Sequence, residues 1–288
     1  MAFKKLGIDV KEEKGYIVCN AEKIVGTNIN LDFPSVGATE NIILVSSMAD
    51  GTTTINNAAM EPEIIDLVLF LKKMGAKICG EGTNKITICG VKNLNGASFN
   101  IMPDRIEAGT FLCATAATGG EILIKNAEYT HTEAVLNKLE ECGCYIDCKK
   151  NVIFLRAPKK LKSIEIKTMT YPGFPTDMQQ IFASMMLKAS GTSIIIENIF
   201  ENRYKYISEL RKMSTKIIQD GRITIITGKR KIQAADLSCT DLRGGAAIVI
   251  AALIAKGVSK ITNIDYILRG YEKFDYKLKN LGAKIRVE

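Results

Sequence analysis

Several residue types are scarce in this 288-residue sequence, and each shortage disfavours a class of site. The chain has no tryptophan and one histidine, His131, and its eight cysteines include no C-x-x-C pair. Structural zinc sites usually show paired, closely spaced cysteines or histidines, so we expect no metal centre. No aromatic platform of the kind on which RNA bases stack is visible in the sequence either.

Long apolar runs are also missing. The longest, AAIVIAALIA at 246–255, is about half of the ~20 residues that cross a membrane. The first ten residues, MAFKKLGIDV, contain no apolar segment of signal-peptide type. We therefore expect a cytoplasmic protein with no membrane contact, whose cysteines are reduced and mainly fill the core.

Positive charge is in moderate excess. The net charge is +8 and the pI is about 9.0, which suits an anionic partner such as a phosphorylated metabolite, a nucleotide or a nucleic acid. The basic residues are scattered singly and in pairs, as at Lys72-Lys73, without a dense run. This spread favours a small ligand over nucleic acid.

The chain repeats itself. One kind of segment is seen in FKKLGIDV, LKKMGAKI, LEECGCYI, LRKMSTKI and LKNLGAKI, and its small residue recurs after 68, 68, 71 and 68 residues. That residue is Gly7, Gly75, Gly143, Ser214 and Gly282. Each segment is typical of a helix end followed by a strand, where a glycine takes the left-handed conformation without strain.

A second kind of segment lies between these and completes a unit. The segments at 35–51, 104–120, 175–191 and 240–257 open with a helix-capping residue type, run apolar and end in glycine. A β-branched strand ending near an asparagine follows each of them. The sequence therefore predicts an α/β fold (of the α+β type) made of strand–helix–strand–helix–strand–strand units. It predicts four complete units and the tail of a fifth.

Specific motifs lie on these units. The motifs PDRIEAGTF, PTDMQ, IFENR, TDLR and RGYE, in this order and over essentially all of the chain, resemble the UDP-N-acetylglucosamine enolpyruvyl transferases. That family transfers the enolpyruvyl group of phosphoenolpyruvate to the 3-hydroxyl of UDP-N-acetylglucosamine, which starts peptidoglycan synthesis. The resemblance implies an inside-out α/β barrel of βαβαββ units, with no metal or organic cofactor.

The resemblance also bears on domain organisation. The family has six units in two domains, so residues 1–102 are expected to be the remainder of the first domain and 103–288 the second. Roughly the first third is then expected to be absent, with its Lys-Asn pair and its loop cysteine, and a separate chain could supply it. We accordingly expect little or no turnover from the isolated chain.

Asp177, in the motif PTDMQ, is the first candidate catalytic residue. A carboxylate near a helix N-terminus is usually there to interact with the helix dipole. Here Thr176 is expected to cap the helix, which leaves Asp177 available. The resemblance assigns the matching aspartate as the general base for the attacking sugar hydroxyl, and the two interpretations are compatible.

Arginines form the second group of candidates. By resemblance Arg243 and Arg269 bind the phosphate or carboxylate of phosphoenolpyruvate, Arg269 having a catalytic role, and Arg203 lines the same cleft. The guanidinium group suits this because it donates paired hydrogen bonds to such anions. Without the resemblance, each would be an ordinary surface arginine. Asp241 is either a helix cap or an orienting partner of Arg243.

The nucleotide sugar is the third assignment. By resemblance Ser35, Val36 and Gly37 hold the uridine diphosphate, since backbone N–H groups at a helix start bind anionic oxygens, and Ile199 packs near the nucleotide. Otherwise these residues are a tight turn and plain core. The segments at 61–63 and 104–107 are expected to be scaffolding.

The last motif departs from the family pattern. Tyr266 and Leu268 replace a histidine and an aspartate, which puts the orientation of Arg269 in question. Two other functions remain open: a non-catalytic UDP-sugar-binding remnant, and RNA binding, because RNA 3′-phosphate cyclases contain similar units. Steep salt dependence of RNA affinity would support the latter.

Overall fold

A computed structural model describes residues 1–229 and 231–287. The chain divides into two compact units, Met1–Met102 with Thr170–Pro172, and Pro103–Met169 with Gly173–Glu288. The division falls next to the boundary at residue 102 that the sequence suggests. The assignment of these parts to two transferase domains stays a prediction.

Unit 1 begins with a helix and a hairpin and continues with a complete repeat. The hairpin strands are antiparallel, and the repeat forms one sheet in the order β3-β4-β6-β5, in which β3 and β4 are parallel. The elements are α1 (Ala2–Lys5), β1 (Asp9–Glu13), β2 (Tyr16–Asn20), β3 (Asn28–Asn30), α2 (Val36–Ser46), β4 (Thr52–Asn56), α3 (Pro62–Lys73), β5 (Lys77–Cys79) and β6 (Lys85–Cys89).

Unit 2 contains three copies of the repeat. The first has α4 (Arg105–Thr118), β7 (Glu121–Lys125), α5 (Glu133–Glu141), β8 (Tyr145–Lys149) and β9 (Val152–Arg156). The second has β10 (Glu165–Lys167), α6 (Gln179–Met186), β11 (Thr192–Ile196), α7 (Tyr206–Lys212), β12 (Lys216–Asp220) and β13 (Ile223–Thr227). The third has β14 (Asp236–Ser238), α8 (Leu242–Leu253), β15 (Lys260–Thr262), α9 (Asp265–Leu268) and α10 (Phe274–Asn280).

The predicted element order is complete in two of the four copies. The copy that begins with α4 has a three-stranded sheet, β7-β9-β8, because residues 97–104 form no strand. Pro103 lies in that segment and has no N–H to give to a sheet. The last copy pairs β14 with β15 alone, and residues 283–287 have no regular structure.

The helix ends are confirmed as predicted. Gly7, Gly75, Gly143 and Gly282 have φ values of +85°, +106°, +95° and +97°. Ser214 takes the same left-handed conformation, at +59°, although it has a Cβ. The repeat therefore imposes this backbone conformation even on the copy that has lost its glycine.

In unit 2 three helices are inside, and the sheet that contains β11 and β13 has one open face. Helices α4, α6 and α8 pack on one another, and every residue of α6 is buried. The strands β11 and β13 bury alternate residues only, as a sheet with one solvated face does. This is the layering that the predicted inside-out arrangement requires.

The cysteines are divided between core and surface. Among the described residues all eight are free thiols, of which Cys113, Cys142, Cys144 and Cys239 are buried and Cys19, Cys79 and Cys89 exposed. Burial raises the pKa of Cys142 to about 12 and that of Cys144 to about 11. The expectation of core thiols therefore holds for half of them.

Candidate functional site

The start of α6 is built differently from the sequence prediction. Thr176–Met178 form one 3-10 turn, and α6 begins after it, at Gln179. Neither start has a side-chain cap, so the prediction that Thr176 caps the helix is wrong. Its hydroxyl instead donates to the buried carboxylate of Glu197 (2.8 Å). A hydrogen bond to a carboxylate is stronger than the bond that a cap makes with a backbone N–H group.

The Asp177 carboxylate is held between two arginines. Arg203 Nη2 donates to Oδ1 at 2.5 Å, and Arg243 Nε donates to Oδ2 at 3.0 Å. The side chains of Asp177, Arg203 and Arg243 are 35%, 20% and 13% exposed. The sequence assigned all three to one site, and the structure brings them together by direct hydrogen bonds.

The charges of this cluster decide the protonation of Asp177. Burial alone would raise the pKa of its carboxyl group, but Arg203 and then Arg243 outweigh burial and hold the pKa below the usual range. Asp177 is therefore an anion at neutral pH. Each of its oxygens has a second lone pair, so the carboxylate can accept one more hydrogen bond from a ligand.

Arg243 has a donor to spare. Its Nη1 is buried and has no hydrogen-bond partner among the described residues. The guanidinium group lies 5.3 Å from the centre of the Tyr271 ring, and the Tyr271 hydroxyl is 2.9 Å from Thr110 Oγ1 on α4. The ring and α4 thus orient Arg243, while the free donor could serve an anionic or carbonyl oxygen.

Close packing against α4 also fixes the turn that holds Asp177. A Cβ added to Gly109 of α4 would lie 2.8 Å from the methyl carbon of Met178, which is itself fully buried. A glycine is therefore what lets α4 approach the turn at this point. The apolar neighbour of Asp177 anchors the turn, and the carboxylate is left at the edge of the core.

Other predicted site residues lie elsewhere in unit 2. Asp241 caps α8, with Oδ1 accepting from Gly244 N at 2.8 Å, so of its two predicted roles the cap is the one observed. Arg269 follows α9, is exposed, and within the described chain makes no hydrogen bond or ion pair with Asp177. Ile199 is half-buried, and its N–H donates to Glu197 (2.9 Å).

The predicted diphosphate segment belongs to unit 1. Ser35 caps α2, with its hydroxyl accepting from Ala38 N at 3.4 Å, and Val36 is the first helical residue. Gly37 is exposed, and a Cβ added there would meet no atom within 4 Å. Open N–H groups at the start of an 11-residue helix suit an anionic oxygen.

Residues that sequence reasoning missed complete the surroundings of Arg203. Gln180, with its amide oxygen turned to Arg203, accepts from Nε at 2.9 Å, and its nitrogen donates to the Thr176 carbonyl at 3.1 Å. Thr176 Oγ1 accepts from Nη1 at 2.9 Å, and the Phe200 ring lies 5.0 Å from the guanidinium carbon. The signal for Gln180 was present, because it stands in PTDMQQ, the segment that differs from the other copies.

Residues 1–229 and 231–287 also bear on two further classes of site, metal centres and membrane spans. That part of the chain contains no group of three or more His, Cys, Asp or Glu side chains able to hold a metal ion. None of its helices combines the length and the apolar character needed to cross a membrane. The arginine-bound aspartate is thus the candidate site that carries the chemistry.

Sequence comparison decides the family. Residues 1–278 match the family described as EPSP synthase (3-phosphoshikimate 1-carboxyvinyltransferase). The chain belongs to this family of carboxyvinyltransferases. Members named UDP-N-acetylglucosamine 1-carboxyvinyltransferase are similar to it at 51% identity in Caldanaerobacter subterraneus subsp. tengcongensis and 47% in Bacillus subtilis.

These carboxyvinyltransferases are longer than the chain. The alignments cover 98% of its residues in both cases, but 68% of the Caldanaerobacter protein and 66% of the Bacillus protein. The chain thus spans about two thirds of the length of the curated relatives that it matches.

Solved structures of carboxyvinyltransferases share the fold. The enolpyruvyl transferase NikO from Streptomyces tendae superimposes with a TM-score of 0.90 at 24% identity, over 99% of this chain and 70% of that one. EPSP synthase from Acinetobacter baumannii gives a TM-score of 0.74 at 19% identity, over 100% and 71%. At these identities the likeness establishes the fold, as the sequence predicted.

Proposed function

We propose that the chain carries the base-bearing part of an enzyme that transfers the enolpyruvyl group of phosphoenolpyruvate to the 3-hydroxyl of UDP-N-acetylglucosamine. The observation that carries this proposal is the Asp177 carboxylate held by two arginines, one of which has an unpaired buried donor. The names of the relatives, one of which is 51% identical, support the choice of substrates.

In this proposal Asp177 takes the proton of the sugar hydroxyl. The hydroxyl oxygen bonds to C2 of phosphoenolpyruvate while C3 gains a proton, which gives a tetrahedral adduct. Phosphate then leaves from C2, C3 loses a proton and the enol ether forms. Asp177 is ionised and over a third exposed, so a hydroxyl group can reach it.

Arg243 and Arg269 hold phosphoenolpyruvate in this scheme. The unpaired Nη1 of Arg243 is the donor that we assign to an oxygen of the substrate. As Arg243 turns toward the anion, it shares its charge with the substrate, and the pKa of Asp177 rises. Substrate binding would thus make Asp177, whose basicity is reduced by its two arginines, a stronger base.

The remaining assignments belong to the same proposal. Ser35, Val36 and Gly37 hold the diphosphate, and Ile199 packs near the nucleotide. The protein acts in the cytoplasm, in peptidoglycan synthesis and so in cell shape and division, without a metal or organic cofactor. By resemblance, we assign the proton for C3 to the loop cysteine of the family, which belongs to the part that this chain does not match.

A phosphate-release assay with both substrates tests the proposal. We expect release by the chain alone to be more than tenfold below that of a full-length relative. Adding the part of that relative which the chain does not match should raise it. Calorimetry should detect binding of UDP-N-acetylglucosamine to the chain.

The outcomes separate the alternatives. Binding that is never followed by phosphate release, even with the added part, would favour a UDP-sugar-binding module. The absence of both binding and release would contradict the proposed function.

A further inference from the structure

Glu197 is a fully buried carboxylate that the proposed chemistry does not use. It follows β11 directly. At the equivalent position after β4 and β7 the other copies have Asn57 and Asn126, both with left-handed φ values of +57° and +56°. The copy that carries Asp177 therefore also carries an acidic residue where its neighbours have an asparagine.

Four donors surround the Glu197 carboxylate. Oε1 accepts from Thr168 Oγ1 at 2.8 Å and from the N–H groups of Ile199 and Phe200 at 2.9 and 3.1 Å. Oε2 accepts from Thr176 Oγ1 at 2.8 Å. The hydrogen-bonding needs of this buried carboxylate are therefore met within the protein.

A chain of hydrogen bonds links Glu197 to Asp177 through Thr176 and Arg203. A threonine hydroxyl has one proton, and Thr176 gives it to Glu197, so its lone pairs face Arg203 Nη1 at 2.9 Å. The neighbouring Nη2 of the same planar group donates to Asp177. Glu197 thus sets the polarity of Thr176, and Thr176 fixes the plane in which Arg203 meets Asp177.

Thr168 provides a comparison within the same network. It is fully buried and also donates to Glu197, but its oxygen accepts from the N–H of Asn198 (2.8 Å). Within the described residues it makes no hydrogen bond with Arg203. The two threonines thus share the carboxylate and differ in whether they reach the arginine.

We propose that Glu197 is a positioning residue that acts through Thr176 and Arg203 to hold Asp177 in place as the base. Its importance for catalysis rests on the proposed function. The hydrogen-bonded relay does not, and it can be tested without turnover.

The test is the titration of Asp177 in the whole chain. Carboxyl-¹³C-labelled aspartate is followed by NMR against pH, and Asp177→Asn assigns the signal. In Glu197→Gln and in Thr176→Val we expect the pKa of Asp177 to rise by ~0.5 pH unit or more, because Arg203 is no longer held against it. Thr176→Ser should restore the wild-type value.

The sign of the shift separates positioning from simple charge. Removing a negative neighbour makes a carboxyl group easier to ionise, so a purely electrostatic role of Glu197 would lower the pKa of Asp177. A purely structural role would lower the melting temperature and leave that pKa unchanged. A fall or no change in both Glu197→Gln and Thr176→Val would overturn the proposal.

Two controls make the result specific. Thr168→Val should destabilise the chain about as much as Thr176→Val does, because each removes one hydrogen bond to Glu197. It should not change the pKa of Asp177. The double variant Glu197→Gln/Thr176→Val should shift that pKa no further than Thr176→Val alone, since residues on one path are not additive. If the wild type neither binds UDP-N-acetylglucosamine nor releases phosphate, the proposed function fails, while this titration still decides the role of Glu197.

Discussion

Asp177 and Asp241 stand at the starts of equivalent helices, α6 and α8, yet their carboxylates have different partners. Asp241 accepts from Gly244 N and from the Thr240 hydroxyl (3.0 Å), so it serves the backbone of its own helix and turn. Asp177 accepts from two arginines and caps nothing. Asp241 is itself the N-cap residue of α8, whereas Asp177 lies two residues after Pro175, which precedes the turn that leads into α6. An aspartate near the start of two equivalent helices is thus a cap in one copy and part of a charged site in the other.

The remaining helix starts agree with Asp241. Asp104 caps α4, accepting from Ile106 N at 2.8 Å and Glu107 N at 3.0 Å, and Ser35 caps α2. Three of the four copies thus keep the ordinary arrangement. An internal repeat provides its own standard, and the copy that departs from it is where chemistry should be sought.

The largest expected effect is on the reaction. Asp177→Asn keeps the size of the side chain but removes the base. Phosphate release by the chain, supplemented with the part of a full-length relative that it does not match, should therefore fall at least ~100-fold. Asp241→Asn is the matched control, because asparagine caps helices as well as aspartate does. Equal loss of activity in both variants, or an Asp177→Asn activity within threefold of the wild type, would contradict the distinction between a base at Asp177 and a helix cap at Asp241.

A smaller effect is expected at the unpaired donor. Arg243→Lys keeps the charge but loses the planar fork, so phosphoenolpyruvate binding measured by calorimetry should weaken about tenfold, a loss of about 1.4 kcal/mol. Arg156→Lys, on the exposed end of β9, is the control and should bind as the wild type does. Equal affinities for the wild type, Arg243→Lys and Arg156→Lys would show that Arg243 does not bind phosphoenolpyruvate.

The pH dependence of stability should show the contribution of the ion pairs of Asp177. The pKa of folded Asp177 is depressed, so its ion pairs stabilise the fold above the unfolded-state pKa, about 3.9, and lose this effect as the pH falls through the lower, folded value. Melting temperatures of wild type and Asp177→Asn should therefore differ at pH 7 and converge below about pH 4. A gap that widens in acid would contradict this sign.

The smallest expected effect lies at the other end of the unit. Ser214 holds a φ of +59° where the other copies have glycine, so Ser214→Gly should raise the unfolding free energy by up to about 1 kcal/mol. Gly143→Ser is the reverse change and should lower it. Urea denaturation measures the unfolding free energy of both variants. A fall for Ser214→Gly together with a rise for Gly143→Ser would show that the backbone conformation is not what distinguishes these positions.

Much of this organisation could be predicted from the sequence, because it is local and repeated. Glycine spacing and apolar segments located the helix ends at Gly75 and Gly143 and the helices between them. The two missing pieces of regular structure, at 97–104 and 283–287, could not be foreseen, since pairing in a sheet depends on residues far away in the sequence.

Within the site, residue types were predictable and partners were not. Motifs brought Asp177, Arg203 and Arg243 to one place, but they did not indicate that the arginines hold the aspartate directly. The sequence shows a glutamate, Glu197, after β11, where other copies have asparagine. Its role required the three-dimensional fact that its carboxylate is buried beside Thr176.

If Asp177 lies in a substrate site, the substrates should change the environment of Asp177 and leave that of Asp241 unaltered. In a chain with labelled aspartate carboxyl groups, phosphoenolpyruvate and UDP-N-acetylglucosamine are added together and both signals are followed against pH. We expect the Asp177 signal to move and its pKa to rise as Arg243 turns to the anion, while the Asp241 signal stays where it was. Two unchanged signals at saturating substrate, or equal shifts in both, would contradict a substrate site at Asp177.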